Sequence, residues 1–63
     1  MTQLHTRVTI IGRTTGGSSR SVNFGIKYQP DRGLARQDPK VSAAVIELQK
    51  FYPLISVTFN DTN

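Results

Sequence analysis

The chain of 63 residues has no cysteine and no tryptophan, and it has only one histidine and four acidic residues. Without cysteine it can form neither disulfides nor thiolate metal sites. The single histidine, His5, cannot build a metal site alone, and the four acids are scattered along the sequence. Paired carboxylates for general acid–base catalysis are therefore missing as well. We expect no metal, no cofactor and no catalytic residue, and we predict that the protein is not an enzyme.

Long apolar segments are also missing. The first ten residues, MTQLHTRVTI, lack the apolar segment of ~7–15 residues that a signal peptide needs. No apolar run approaches the ~18 residues of a membrane-spanning helix. The absence of cysteine agrees with a reducing compartment. The sequence therefore predicts a cytoplasmic protein that has no membrane partner.

A chain of 63 residues is long enough for one small domain. Domains of about this size bury only ~60% of the surface that the unfolded chain exposes. Small domains usually gain the missing stability from disulfides, a metal or a second subunit. Because the composition excludes the first two, we predict a homo-oligomer, most simply a homodimer.

Positive charge is concentrated in the first two thirds of the chain. Residues 1–40 contain seven basic and two acidic residues, a net charge of 7 − 2 = +5, whereas residues 41–63 contain one basic and two acidic residues, a net charge of 1 − 2 = −1. The sum is the overall +4. A one-sided basic surface attracts nucleic acid, an acidic protein surface or anionic lipid.

Residues 4–28 are predicted to form a β-hairpin. Two stretches alternate apolar and polar residues with a period of two, and TTGGSS at 14–19 between them is typical of a turn. Residues that pair directly across a hairpin share a face of the sheet. Because the apolar residues to be paired have even numbers in both stretches, the two numbers of each pair must have an even sum. This condition favours a three-residue loop at 16–18, which pairs Ile10 with Phe24. A two-residue turn would need a bulge near residues 11–12, where Gly12 suits one.

The second half of the chain is predicted to be a loop, a helix, a strand and a tail. Residues 29–37 form a polar, basic loop. Asp38 is then expected to cap a helix that starts at Pro39 and runs to about residue 51, because Pro53 limits it. Alternation predicts a third strand over about 54–59, followed by a frayed tail over 60–63.

These elements predict an α+β domain spanning residues 1–63, with the order β-β-α-β in two layers. A three-stranded sheet combines the N-terminal hairpin with the C-terminal strand, and the helix packs on one face. A right-handed crossover would place the third strand beside the first and parallel to the second, in the order 2-1-3. The other face of the sheet then has no cover. It can be solvated, bind phosphates or form a dimer seam.

The glycine-rich segment 12–19 superficially resembles a phosphate-binding loop. Ser18 stands where such a loop has lysine, and a strand pattern rather than a helix follows. We therefore interpret it as a mobile hairpin tip flanked by Arg13 and Arg20, whose joint reversal to glutamate should abolish binding. The uncovered face is expected to lack aromatic residues for base stacking, apart from His5, which favours duplex over single-stranded nucleic acid.

The leading hypothesis is a small, basic, non-enzymatic module that binds nucleic acid, most plausibly duplex DNA, through the hairpin, the basic loop and the open sheet face. The candidate contacts are Asn23 for a base edge or sugar and, for phosphates, Arg7, Arg13, Arg20, Lys27, Arg32 and Arg36. The alternative is a protein–protein interaction module that acts as an oligomer on an acidic partner. It would be an inhibitor, adaptor or small assembly subunit of the kind that phages and plasmids encode. Strand addition at the second strand is one route to such a partner.

Overall fold

A computed structural model of the protein describes residues 4–62. Its elements are β1 (His5–Arg13), β2 (Ser19–Lys27), α1 (Arg32–Arg36), α2 (Pro39–Gln49) and β3 (Leu54–Thr62). The sheet order is β2-β1-β3, and β1 is antiparallel to both neighbours. The predicted α+β class and the 2-1-3 strand order are confirmed, and β3 runs parallel to β2 as expected.

The hairpin register differs from both predicted registers. Val8 pairs with Phe24 and Ile10 pairs with Val22, so paired residue numbers sum to 32. The even sum keeps apolar residues on one face, as expected, but the connecting loop is five residues long, 14–18. Thr14 closes this loop: its backbone N–H donates to the Ser18 carbonyl at 2.9 Å, and its hydroxyl accepts from the Ser18 N–H at 3.1 Å. These local bonds, with Gly17 at a φ of +96°, stabilise the longer loop.

Gly12 lies in a regular part of the ladder, so the bulge that the alternative two-residue turn would need does not form there. It pairs with Arg20 on one side and Ile55 on the other. A Cβ atom at this position would lie 2.7 Å from the Cβ of Tyr52. The glycine is therefore explained by close packing of the Tyr52 ring on β1 rather than by an irregular strand.

The predicted basic loop contains a short helix, α1. The Leu34 N–H donates to the Asp31 carboxylate at 3.1 Å, which is an N-cap bond. Ala35 is fully buried and anchors the helix in the core. The interpretation of this segment as an open loop was wrong because the Pro-Asp pair that is typical of a turn also starts a helix.

The start of α2 is confirmed, and its end is earlier than predicted. Asp38 accepts from the Lys40 N–H at 2.8 Å and Pro39 occupies the first turn. The helix ends at Gln49 rather than near residue 51. The N–H groups of Phe51 and Tyr52 both donate to the Leu48 carbonyl, which turns the chain before Pro53.

The core lies between the sheet and the helices. Val8 and Ile10 of the central strand are fully buried, and they pack with Ala35, Val41 and Leu48. Half-buried apolar residues of the two outer strands and of α2 complete the core. The helices cover one face of the sheet only, as predicted.

The last strand is longer than predicted. β3 continues to Thr62, so the expected frayed tail is wrong for residues 60–62, and Asn63 lies outside the described residues. The Asp61 side chain accepts from the Thr6 hydroxyl at 2.9 Å and pairs with Arg32. These contacts hold the end of the strand against β1 and α1.

Candidate nucleic-acid interface

The sheet has one face without a helix over it, which we call the open face. Alternation along each strand, together with the pairing register, decides which side chains lie on it. Its members are His5, Arg7, Thr9, Ile11 and Arg13 of β1; Ser19, Ser21, Asn23, Gly25 and Lys27 of β2; and Leu54, Ser56, Thr58, Asn60 and Thr62 of β3. The face is therefore built from three strands with β1 in the middle.

The register arranges these residues in five rows across the sheet. Arg7 lies between Gly25 and Asn60, and Thr9 lies between Asn23 and Thr58. The two outer strands are separated by two inter-strand spacings, so their axes lie about 10 Å apart. The nine residues of each strand extend about 27 Å along it. The open face is thus a long, narrow surface.

Positive charge on the open face has no acidic counterpart. Arg7, Arg13 and Lys27 lie there, whereas all four acids and the other five cations lie on the helix side. The open face therefore carries +3, and the helix side carries 5 − 4 = +1. None of these three cations forms an ion pair within residues 4–62. Most of the net charge of the protein is concentrated on this one surface.

The acids of the helix side already have partners. Asp31 and Asp38 cap the two helices, as described above. Glu47 pairs with Lys50 at 3.3 Å, and Asp61 pairs with Arg32 at 3.0 Å. These contacts leave the carboxylates dispersed, so they do not form a pair suited to acid–base chemistry.

Polar side chains surround the cations of the open face. The Thr9 hydroxyl donates to the Asn23 side-chain carbonyl oxygen at 2.7 Å. This bond orients the Asn23 amide and leaves its NH₂ group free to donate to a ligand. At the end of the face, the Thr62 hydroxyl and His5 Nε2 are 2.9 Å apart.

A shallow depression lies beside Arg13. It is lined by Ile11, Arg13, Leu54, Ile55 and Ser56 and has a volume of about 200 Å³. Leu54 is 53% exposed. The depression therefore combines a cation, a hydroxyl and apolar side chains at the Arg13 end of the open face.

The structure separates the predicted site residues into two groups. Arg7, Arg13, Asn23 and Lys27 lie together on the open face. Arg20 is paired with Gly12 and lies on the helix side, where it lines a cavity with Val22 and Tyr52. Arg36 is exposed on α1. Arg13 and Arg20 are near neighbours on the hairpin but point to opposite faces.

Arg32 is held in an ion pair on the helix side. Its guanidinium donates two hydrogen bonds to the Asp61 carboxylate, at 3.0 and 3.1 Å, and lies 5.9 Å from the centre of the Phe59 ring. The Thr6 hydroxyl also donates to Asp61 and accepts from the Gln29 N–H at 2.9 Å. Arg32, followed by Thr6, holds the pKa of Asp61 below its usual value.

The role of Arg32 was hidden in the sequence because its partner lies 29 positions away. No local pattern connects a residue of the basic segment with one near the C-terminus. The only signal of this pair in the sequence was Asp61, an acid in an otherwise polar C-terminal segment. A residue predicted to bind phosphate therefore has a structural partner.

All five aromatic residues lie on the helix side or in the core. Phe24, Phe59 and Tyr52 pack against the core, and Tyr28 and Phe51 line cavities on the same side. Apart from His5, the open face has no aromatic ring. It offers no stacking platform for unpaired bases.

The glycine-rich segment does not have the structure of a phosphate-binding loop. Strand β1 continues through Arg13, and β2 begins at Ser19. A helix N-terminus, on which the phosphate would lie, does not follow. Residues 4–62 contain no group of three or more His, Cys, Asp or Glu residues placed to hold a metal. In the same range no helix is long and apolar enough to cross a membrane.

Comparison with family models, curated proteins and solved structures found no match to this chain. The geometry of the open face is therefore the basis for a functional proposal.

Proposed function

We propose that this protein is a small, non-enzymatic, cytoplasmic module that binds duplex DNA through its open face. The observation that carries the proposal is the segregation of Arg7, Arg13 and Lys27, without any acid, on one face of the sheet. Cations that form no ion pair within residues 4–62 are available to neutralise phosphates and release counterions. The acids, which would repel DNA, lie on the other side.

The dimensions of the open face suit contact with the outside of a DNA duplex. The axes of its outer strands lie about 10 Å apart, close to the ~12 Å width of the major groove, so the face can lie over the groove and the phosphates that flank it. Arg7 and Arg13 are six residues apart on β1, a distance of about 20 Å along the strand. Lys27 extends the positive charge to the β2 edge. The three cations can therefore contact phosphates at both ends of the open face and along its β2 edge.

Two features of the open face are suited to base edges. Asn23 and Asn60 present amides on the two outer strands, and asparagine pairs well with adenine in the major groove. The depression beside Arg13 contains Ile11 and Leu54, which suit a thymine methyl group. These features favour contact with bases in addition to phosphates.

The absence of aromatic rings favours duplex over single-stranded DNA. Proteins that bind single strands usually stack bases on aromatic side chains. In this protein the tyrosine and phenylalanine rings lie in the core and on the helix side. We therefore expect a duplex to bind more tightly than either of its separated strands.

The test compares two double variants that change the net charge equally. Arg7→Glu with Arg13→Glu reverses the open face, and Arg36→Glu with Lys40→Glu reverses the helix side at residues that line neither cavity of that side. Binding of a fluorescent duplex is measured by anisotropy. We expect the first pair to weaken binding by at least about 100-fold and the second by less than about tenfold, because phosphate contacts dominate affinity.

Salt dependence separates binding to DNA from docking on a protein through an apolar or strand-edge interface. Each bound chain, with three phosphate contacts, contributes about −2.7 to the slope of log affinity against log salt, or a loss of about 40-fold between 50 and 200 mM. Equal losses in both double variants would show that only net charge matters. Unchanged binding in the open-face variant would refute the proposal. Absence of DNA binding, with weakly salt-dependent binding to an acidic protein, would favour the alternative interaction module.

A further inference from the structure

The helix side of β2 is incompletely covered. Helix α2 packs on β1 and β3, and Val22 and Phe24 of β2 are only half-buried although they face the core. Two cavities lie along this edge. One, of about 320 Å³, is bounded by residues that include Val22 and Phe51, and the other, of about 410 Å³, by residues that include Ile26 and Leu34. We call this surface the edge groove.

Exposed apolar side chains stand at both ends of the edge groove. Phe51 is 71% exposed at the end near Arg20. Leu34 is 51% exposed and Tyr28 is 41% exposed at the end near Ile26. A small protein rarely exposes such groups together unless another surface covers them.

The backbone edge beside this groove is also open. β2 is an outer strand of nine residues, without proline and without an acid. Its two charged residues, Arg20 and Lys27, lie near its ends. Outer strands with unpaired N–H and C=O groups form hydrogen bonds readily with another strand.

We propose that a second copy of this chain occupies the edge groove by pairing β2 antiparallel with β2 about a two-fold axis at Phe24. In this register Phe24 faces its own equivalent and Val22 faces Ile26 of the second copy. Moving the axis to Asn23 would place Arg20 opposite Ile26, and moving it to Val22 would place Arg20 opposite Phe24. An axis at Gly25 would place Val22 opposite Tyr28, beyond the end of β2. Only the axis at Phe24 sets the three apolar residues of β2 opposite one another.

The two-fold axis also brings unlike ends of the edge groove together. Leu34 of the second copy approaches the cavity beside Phe51, and the reciprocal contact forms at the other end, as in any isologous interface. Arg20 in the first cavity approaches the end that contains Asp38 in the second copy. On the open face, Ser21 lies opposite Lys27, so no like charges meet. The surface is therefore complementary to itself in apolarity and charge.

The dimer would have one six-stranded sheet with both open faces on the same side. Each copy contributes three cations, so the surface would carry six. The dimer itself does not depend on the proposed DNA binding, because its formation is measured without DNA. Failure of either proposal can therefore be recognised separately.

The test measures molar mass by light scattering over a range of protein concentrations. We expect twice the 7.0 kDa mass of one chain. Leu34→Asp should weaken dimerisation by at least about tenfold, because it places a charge in the apolar contact. Ile46→Asp is the matched control. Ile46 is 58% exposed on α2 and lines neither cavity, so this variant should remain a dimer.

A second pair of variants tests the strand pairing. Ser21→Lys places a charge opposite Lys27 of the second copy and should weaken the dimer. Ser56→Lys places the same charge in the same row but on the β3 edge, since both residues pair with Ile11. It should leave the dimer intact. Adding Lys27→Glu to Ser21→Lys should restore dimerisation by pairing unlike charges.

A monomeric wild-type chain at all concentrations would overturn the proposal. It would also be overturned if the Leu34→Asp and Ser21→Lys variants kept the molar mass of the wild-type protein while circular dichroism showed that they are folded. Equal loss of the dimer in Ser56→Lys would place the interface on the other edge. Failure of Lys27→Glu to rescue Ser21→Lys would refute the two-fold axis at Phe24.

Discussion

The open face and the helix side use alternate residues of the same three strands, yet they differ in almost every chemical respect. The open face has three cations that form no ion pair within residues 4–62, and it has no acidic side chain. The helix side has all four acids, each of them in a cap or an ion pair, together with the aromatic rings. The comparison shows that the charge of this protein is separated by face as well as by position along the chain.

Two threonines of β1 illustrate the difference at the level of one residue type. Thr6 is fully buried on the helix side and connects Gln29 with Asp61. Thr9 lies on the open face and orients the Asn23 amide. The first hydroxyl satisfies buried polar groups, and the second prepares a surface group for a ligand. Odd and even positions of one strand thus have different functions.

The largest expected effect contrasts adjacent isoleucines. Ile10 is fully buried, whereas Ile11 lies on the open face. Ile10→Ala should reduce the free energy of unfolding by about 2–5 kcal/mol, since it leaves a cavity in the core. Ile11→Ala should cost about 1 kcal/mol or less. Urea denaturation of both variants measures the difference, and equal losses would contradict the assignment of the two faces.

The next effect contrasts two glycines of the sheet. Gly12→Ala should destabilise the protein by about 1–3 kcal/mol, because the new methyl group overlaps the Tyr52 side chain at 2.7 Å. At Gly25 a new methyl group would lie 3.4 Å from the His5 ring, so alanine should be tolerated there. Thermal unfolding of the two variants tests this. A stable Gly12→Ala protein would show that Tyr52 is not packed on β1 as described.

The smallest effect is expected at the partly exposed Arg32–Asp61 pair, and it depends on pH. The pKa of Asp61 is lowered below its usual 3.8 by Arg32 and then by Thr6. The folded protein therefore binds this proton less readily than the unfolded chain does. The pair stabilises the fold fully above the unfolded pKa, and this stabilisation is lost as the pH falls through the lowered folded pKa.

The variant Asp61→Asn removes this titration. Its stability should fall less steeply than that of the wild type when acid is added between pH 5 and 2. At neutral pH it should be modestly less stable, because the ion pair is lost. Chemical denaturation across this pH range provides the measurement. Parallel curves for the two proteins would show that Asp61 does not contribute to the acid dependence.

Much of the fold followed from local signals in the sequence. Alternation of apolar residues predicted the three strands, and Asp38-Pro39 predicted the start of α2, since capping depends on adjacent residues. The loop length was wrong because Thr14 adds hydrogen bonds that the composition of a turn does not reveal. Helix α1 was missed because Asp31 and Gly33 are equally typical of a turn. Local chemistry predicted the elements better than their boundaries.

The candidate site was predicted only in part. Residue type and alternation placed Arg7, Asn23 and Lys27 on the uncovered face. Arg20 was separated from Arg13 because a hairpin with paired numbers summing to 32 places them on opposite faces. A change of one residue in the register of β1 and β2 would have placed Arg13 and Arg20 on the same face of the sheet.

The sequence by itself determined the alternating strands, the capped helix, the absence of cysteine and the excess of positive charge. Each of these is a property of single residues or of near neighbours. Tertiary structure decided which cations lack partners, because the Arg32–Asp61 pair joins residues 29 positions apart. It also decided which face the helices cover and which edge of β2 remains open. Those properties depend on contacts between distant segments, and such contacts are absent from any local pattern.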